Sequence, residues 1–571
     1  MNKKRWSIKP LDTDLARKLA QETGKNHVVA KLLAQRGFTT KESIEDFLSP
    51  PLGKMPNPMD IEGIPAASAA VTRAITGSKK ICVFGDFDVD GVTASSLMSV
   101  FFEAIGADHV CHIPVRSTDG YGLTMAGIDQ VAALGAQMII TVDCGVTAVR
   151  EAEYCRQLGI ELLITDHHLP GDEIPDCTVI NPNIPGREFP FKDLPGVGVA
   201  FMLAVAVRMR LRAAGYFQNR QEPRLGALLP FVAMGIVADI VPIHGLNRIF
   251  AYHGMREIAV TNSPGIKALL NVSEVKGRLT TGKLGYAVCP RINASGRISS
   301  AGPALDLLRT GDPLLAAELA EILDTANKQR KEIEAECKDK ALKMMETYPI
   351  DKKTIVLAGS GWHTGVLGIV CSRLLETYNR PVILLAETPE GYKGSGRSIT
   401  GFNMKEALEA CSEHLGKYGG HAHAAGVSLP KENLEAFVDA FEKQAAHLTE
   451  EDLTPMLKID LPLAGEDISL ATYDAITDME PFGPGNTTPV FYTRNVEIGK
   501  RTVFQSHKGV HTKYECSHDG FRFTSMLFNE AGPDLSSADI VFTLGDNEYM
   551  GRRSLSLTMK DIRPHKETGH A

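Results

Sequence analysis

Basic residues are not in excess in this chain: 61 lysines and arginines stand against 69 aspartates and glutamates, a formal net charge of −8 at pH 7. That balance excludes a coat protein that holds nucleic acid by bulk positive charge, and it leaves any polyanion contact to local arginines and lysines. Long apolar runs are also missing. The best of them, such as the segment Phe-Met-Leu-Ala-Val-Ala-Val at 201–207, falls far short of a membrane span. The first residues, Met1-Asn2-Lys3-Lys4-Arg5-Trp6, lead into a charged segment with no apolar signal core. Cysteine occurs ten times but never as a CxxC pair. Cys82 and Cys371 sit in apolar contexts and read as buried free thiols of a reducing cytoplasm, while Cys144 and Cys155 lack partners at zinc spacing. The remainder is ordinary globular composition, 43% hydrophobic and 23% charged, over 571 residues. A chain of that length divides into roughly two to four domains.

Carboxylates after apolar runs carry the chemistry. Gly85-Asp86-Phe87-Asp88-Val89-Asp90-Gly91 follows Ile81-Cys82-Val83-Phe84, Asp143 follows Met138–Val142, and Asp166-His167-His168 follows Leu162–Thr165. Each run reads as a buried parallel strand, and strand C-terminal ends share one edge of an open sheet. Asp86, Asp88, Asp90, Asp143 and His167 are therefore expected to converge. So many carboxylates in one place repel and attract protons, a cost that two divalent cations remove. Oxygen-rich ligands with an imidazole suit Mn²⁺ or Mg²⁺, and the matching chemistry is two-metal phosphoester hydrolysis. Taken singly, each cluster also reads as turn or helix-capping chemistry; the recurrence at three strand ends favours the site.

Around these motifs the chain reads as an α/β protein. Residues 1–75 are a polar, mainly helical lead-in. Residues 76–310 alternate strands with helices as a doubly wound parallel sheet and end in a helical extension. Residues 311–349 form a connecting helix, with Leu314, Leu315, Leu319, Ile322 and Leu323 at helical spacing before a charged stretch. Residues 350–452 form a second, smaller α/β unit, with strands at 354–358 and 381–385 and a helix at 364–378 between them. Residues 453–566 change to short alternating strands, at 490–492, 521–523, 540–543 and 554–557, which suggest an OB-like β-barrel.

The second α/β unit has a constellation of its own. Trp362–Ile369 places glycines at a helix start, where backbone N–H groups can receive a phosphate. Gly394-Ser395-Gly396-Arg397-Ser398 joins a hydroxyl to a guanidinium, and Gly419-Gly420-His421-Ala422-His423-Ala424-Ala425-Gly426 allows close backbone approach. Any one of them alone is a structural turn more often than a site.

The triplet at 166–168, with Arg116–Leu123, Pro195–Ala200, Gly235–Asp239 and Pro290–Arg297, resembles the DHH phosphoesterase superfamily, and the arginine motif is similar to that of its single-strand-specific 5′→3′ DNA exonucleases. The glycine-glycine-histidine motif resembles the DHHA1 domain that accompanies DHH domains. Glu480–Asn486 is similar to the junction into the exonucleases' OB domain and reads as structural. Ala422 and Thr487 stand where relatives often carry proline. The resemblance implies that Asp143 bridges two metals and that Asp86, Asp88, Asp90, His167 and Asp239 complete the ligand set. Asp143, His167 and His168 form the catalytic group, with His168 orienting its neighbours. Arg116, Arg297, Ser395, Arg397 and His421 are implied around phosphates, and Tyr121 against a base. Single-stranded DNA is the implied substrate, and a single-stranded-DNA-binding protein and a RecQ-type helicase the implied partners. Two other classes stay open: a DHH phosphodiesterase for short oligonucleotides or cyclic dinucleotides, and a non-catalytic replication scaffold.

Overall fold

The structure, a computed structural model, describes residues 4–115, 120, 122–298, 300–506 and 509–565. The chain divides into two units: Ser49–Glu332 with Pro481–Thr487, and Met1–Leu48 with Ile333–Glu480 and Thr488–Ala571.

In the first unit, five parallel strands lie in the order His109–His112, Ile81–Gly85, Met138–Val142, Glu161–Thr165, Thr178–Ile180. The chain moves one way from Ile81–Gly85 and then returns past it, so the strand order reverses between Ile81–Gly85 and Met138–Val142. Ligand sites of doubly wound sheets form at that reversal. Side chains alternate between two buried faces. Ile81, Val83, Met138 and Ile140 pack with the helices Ile64–Thr76, Val89–Ile105 and Gly196–Ala213. Cys82, Phe84, Ile139 and Leu162 pack with Met125–Ala133 and Val149–Gln157. Near-continuous apolar strands are what a sheet covered on both faces requires.

Helices follow the sheet: Leu229–Ala238, Gly245–Val260, Pro264–Val272, Cys289–Ile298 and Gly302–Arg309. The segment Pro481–Thr487 joins this unit, where the Ile243 N–H donates to Pro484 O at 2.7 Å and Asn486 Nδ2 to Pro481 O at 2.8 Å. The long helix is Pro313–Met345. Its buried stripe is not the leucine pattern expected: Leu314 is 82% exposed and Ile322 45%, whereas Ala316, Leu319, Ala320 and Leu323 are buried. The alanines complete an i, i+3, i+4, i+7 face that a leucine-only reading misses.

In the second unit a five-stranded sheet has the order Lys417–Gly420, Ala424–Leu429, Gly391–Arg397, Val382–Thr388, Ile355–Gly359. The helix Thr364–Tyr378 packs beside it with the predicted bounds. Towards the C-terminus, Phe491–Ser506, Gly509–His518, Phe521–Leu527, Arg552–Pro564 and Ser537–Tyr549 pair in that order, and Phe491–Ser506 pairs back to Ser537–Tyr549. This closes a five-stranded barrel. Its strands are longer than the sequence pattern suggests. Phe491–Ser506 runs for 16 residues through a register shift at Ile498/Lys500, and Gly509–His518 is a strand the expected set omits, although Val510, Thr512, Tyr514 and Cys516 alternate with polar residues.

The N-terminal residues belong to this unit as well. Arg5–Ile8 pairs in parallel with Met456–Ile459, and Trp6 Nε1 donates to Asp561 Oδ2 at 2.6 Å. Among the described residues no helix is long and apolar enough to cross a membrane.

Candidate metal centre and phosphate-binding residues

The loop after Ile81–Gly85 turns directly into a helix. Asp88 caps that helix, accepting from the Gly91 N–H at 3.1 Å. Asp86 and Asp90 are buried, each only 2% exposed. The loop is tight because of Gly91: a Cβ there would stand 2.5 Å from Asp86 O.

A second helix anchors Asp90. The Gly196 N–H donates to its Oδ2 at 2.6 Å and the Val197 N–H to its Oδ1 at 3.0 Å. These are unpaired amides at the N-terminus of Gly196–Ala213, the positive end of the helix dipole. Gly235 presses from another side; a Cβ there would lie 2.6 Å from Asp90 Oδ1. Asp143 follows its strand in the left-handed region, at φ 63°, which is strained for a residue with a Cβ. Its Oδ1 is buried without a hydrogen-bond partner.

The triplet supplies the imidazoles. His167 Nε2 lies 3.2 Å from Asp143 Oδ1, 3.8 Å from Asp90 Oδ2 and 3.8 Å from Asp239 Oδ2. Asp239 sits just after the helix Leu229–Ala238. Asp166 turns inward: its Oδ1 accepts from the His167 N–H at 2.7 Å, the His168 N–H at 3.1 Å and His168 Nδ1 at 2.8 Å, and its Oδ2 accepts from the Val146 N–H at 2.9 Å. It organises the loop, and its capacity is largely used there. Three overlapping triads result, Asp86–Asp88–Asp143, Asp90–His167–Asp239 and Asp143–His167–His168, each with its ligand atoms within 4.8 Å of one another.

The electrostatics are those of a site built for cations. Burial, then Asp88, pushes Asp90 up to about 7, while the Val197 and Gly196 amides pull it back. Burial and the Asp90 and Asp88 charges push Asp239 up to about 8. Asp143 is raised well above the usual carboxylate range by burial and by Asp90, Asp88 and Asp86. Burial, with the charge of His168, lowers His167 to about 4 and leaves it neutral. His168 rises to about 9 because the Asp166 carboxylate outweighs its burial. The same partnership, with the backbone N–H groups, holds Asp166 below its ordinary value against burial. Clustered oxygens, a neutral imidazole and an unsatisfied buried Asp143 Oδ1 fit a pair of hard divalent cations. Thiolates do not contribute: buried Cys144 sends its Sγ toward Phe84 O, 3.8 Å away.

Of the implied phosphate ligands, Arg116 lies outside the described residues, as does Tyr121. Arg297 lies in the last turn of the helix Cys289–Ile298, and Gly296 beside it lies against Phe87 O, which a Cβ would approach to 2.6 Å. This places the arginine motif beside the aspartate loop. Arg291 of the same motif is structural: its Nε donates to Asp324 Oδ1 at 2.8 Å and its Nη2 to Val272 O at 2.9 Å.

In the other unit, Ser395 and Arg397 lie two apart on one strand, with Arg397 Nη1 donating to Ser395 Oγ at 3.1 Å. Gly368, in the first turns of Thr364–Tyr378, leaves them room; a Cβ there would stand 2.9 Å from Arg397 Nη2 and 3.1 Å from Ser395 Oγ. His421 is exposed in the turn of the hairpin Lys417–Gly420/Ala424–Leu429, whose second strand also pairs with Gly391–Arg397, Ala424 opposite Arg397. Gly420 adopts φ 146°, and a Cβ there would fall 2.3 Å from Ala424 O. Ala422, which replaces the frequent proline, accepts from the Met404 N–H at 2.9 Å. Sequence reasoning missed the role of the Gly196 and Val197 amides, the Gly235 and Gly368 contacts, and Asp166 as an organiser. The glycines were visible as motifs, but their spatial neighbours were not.

The chain matches the DHH family N-terminal domain over residues 80–236, the DHHA1 domain over 351–447 and the RecJ OB domain over 459–561. It is 36% identical over 562 residues to the single-stranded-DNA-specific exonuclease RecJ of Salmonella typhimurium, covering 94% of this chain and 96% of that one. It is 35% identical over 570 residues to the RecJ of Bacillus subtilis, covering 98% of this chain and 71% of that protein. A crystal structure of RecJ from Thermus thermophilus in complex with Mn²⁺ is similar with a TM-score of 0.84 at 27% identity, over 98% of this chain and 80% of that one. A Mg²⁺ complex of the same protein gives a TM-score of 0.79 at 26% identity, over 98% and 79%.

Proposed function

The chain belongs to the RecJ family of DHH exonucleases, and from that premise we propose how its residues degrade single-stranded DNA. It is a metal-dependent exonuclease specific for single strands, working 5′→3′ and releasing nucleoside 5′-monophosphates in recombination and repair. The observation that carries this reading is the meeting of Asp86, Asp88, Asp90, Asp143, His167 and Asp239 at the switch point of the sheet.

Asp86, Asp88, Asp90, Asp143, His167 and Asp239 would hold two divalent cations, Mn²⁺ or Mg²⁺, with Asp143 serving both on family grounds. Such a pair supplies Lewis-acid polarisation of the phosphoryl group, an activated water and charge stabilisation of the leaving oxygen. The protein does the rest. The Gly196 and Val197 amides fix the Asp90 carboxylate, and Asp166 fixes both histidine backbones and the His168 ring. Ser395, Arg397 and His421 take the 5′-terminal phosphate, Arg397 through charge-assisted hydrogen bonds. Arg297, Arg116 and Tyr121 contact the strand near the scissile group. The barrel binds further nucleotides by stacking and backbone contacts with little sequence preference. Cytoplasmic location accords with ten free cysteines. A single-stranded-DNA-binding protein and a RecQ-type helicase are the proposed protein partners, on family grounds. Neither alternative class gains an observation: the barrel exceeds what a short-oligonucleotide phosphodiesterase needs, and every expected metal ligand is present.

The test is a time course on 5′-end-labelled single-stranded DNA with Mn²⁺, Mg²⁺ or EDTA. Label released as mononucleotide from the earliest point, and none in EDTA, is expected. A ladder of shortened labelled strands would overturn the polarity, and activity confined to very short oligonucleotides would restore the phosphodiesterase.

A further inference from the structure

Two lysines on the five-stranded sheet of the second unit share a face with the proposed phosphate ligands, and the reaction as described uses neither. Their placement follows from strand register. Ser395, Gly426 and Gly419 stand opposite one another across Gly391–Arg397, Ala424–Leu429 and Lys417–Gly420, and two residues further along these strands Lys393, Ser428 and Lys417 form the next row. Residues opposite each other, or two apart on one strand, lie on one face of a sheet.

The cores on either side tell the two faces apart. Ile383, Leu385, Ala425 and Val427 pack on one face with Met404 and Phe437. Val382, Leu384 and Ala386 pack on the other with Val366, Val370 and Leu374 of the helix Thr364–Tyr378. Leu384 stands opposite Ser395 and Ala386 opposite Lys393, so both rows lie on the helix-bearing face. Past Ser395 that face is bare. A Cβ on Gly426 or Gly419 would meet no described atom within 4 Å, and Lys393 and Lys417 are exposed. Neither ammonium group has a hydrogen-bond or ion-pair partner among the described residues. Glu387 is the one carboxylate in the five strands, and Lys431 pairs with it. Two uncompensated cations thus stand one row, roughly 7 Å, from the row of Ser395.

We propose that Lys393 and Lys417 bind a backbone phosphate of the single strand other than its 5′-terminal one, along a track that crosses Gly426 and Gly419 to the edge strand of this sheet. The inference rests on the exonuclease reading. The terminal phosphate already has Ser395, Arg397 and His421, and the scissile one has the metal centre. The occupant is a phosphodiester backbone because two ammonium groups on strands roughly 9.5 Å apart match a polyanion that continues past the first site. Lysine offers a flexible point charge suited to an internal phosphate, where the planar fork of Arg397 suits a terminal one. In a chain of net charge −8, grip on DNA depends on such local cations.

The experiment pairs protein and substrate changes. Release of the 5′-labelled terminal nucleotide is followed on strands carrying one uncharged methylphosphonate at the second, third, fourth or fifth linkage. On unmodified DNA, Lys393→Ala and Lys417→Ala are each expected to raise KM about five-fold with kcat near wild type, the scale of one exposed ion pair, while Lys393→Arg and Lys417→Arg stay near wild type. In the double alanine variant the slope of log KM against log salt should become shallower by roughly 0.7, one phosphate contact on a single strand. At one linkage the methylphosphonate should weaken wild type and cost the double variant nothing more. Discrimination between 5′-phosphate and 5′-hydroxyl ends should stay as in wild type. Equal methylphosphonate penalties in wild type and double variant at every linkage would overturn the track, and so would loss of end discrimination, which would assign the lysines to the terminal phosphate. Failure of wild type to degrade unmodified DNA would instead overturn the exonuclease reading.

Discussion

Gly196 touches Asp143 at a distance that admits no side chain: a Cβ on Gly196 would stand 2.5 Å from Asp143 Oδ1. The same glycine donates its N–H to Asp90 Oδ2 at 2.6 Å. One residue at a helix start therefore fixes one proposed ligand and limits the position of another.

Gly196→Ala should leave the fold standing and disable the site. A methyl group there displaces Asp143, and misplacing a reacting group by about 1 Å costs on the order of 10²-fold in rate. The expected result is a loss of about that size in kcat with a near-native circular dichroism spectrum. Full activity would show that Asp143 can yield.

Arg397→Ala tests the phosphate assignment. A guanidinium on phosphate contributes roughly 1.5–3 kcal/mol, so kcat/KM on 5′-phosphorylated strands should fall about 10- to 100-fold. Strands ending in a 5′-hydroxyl should be affected much less. Equal losses on both would make Arg397 a general backbone contact.

Stability without metal should depend on pH in an unusual direction. Asp90 and Asp239 are raised to about 7 and about 8, above the ordinary 3.8 of an unfolded chain. The folded protein therefore holds extra protons between about pH 4 and 8, and this contribution is lost as pH rises through 7 to 8. In EDTA the melting temperature should be higher at pH 6 than at pH 8.5. With Mn²⁺ the ligands are deprotonated by binding, so the gain from metal should be larger at pH 8.5. Melting curves with and without Mn²⁺ at both pH values check the sign.

What was legible in the sequence is what local pattern encodes. Apolar runs ending in aspartate gave the strands of the sheet and the meeting of Asp86, Asp143 and His167, because sheet geometry forces strand ends together. Helix Thr364–Tyr378 was equally plain from its apolar spacing and starting glycine. Pairing across the chain was not legible. Nothing near Arg5–Ile8 names Met456–Ile459 as its partner, so the first residues read as a lead-in although they pack with the barrel unit. Removing the chain from about Leu457 onward would strand Trp6, which donates to Asp561, so barrel function is better probed by surface substitutions. The work of glycines such as Gly196 and Gly235 was hidden for a related reason. Their significance lies in an atom they lack, next to residues distant in the sequence.

The most direct measurement is metal binding and hydrolysis in one preparation, wild type beside Asp143→Ala. Calorimetric titration of Mn²⁺ into metal-free wild type should show two sites, and labelled single-stranded DNA should yield mononucleotides once they fill. Asp143→Ala should remain folded, lose at least one site, and lose at least about 10³-fold in rate, as expected when a major electrostatic contribution to catalysis is removed. Two intact sites with a tenth or more of the activity in Asp143→Ala would contradict the account.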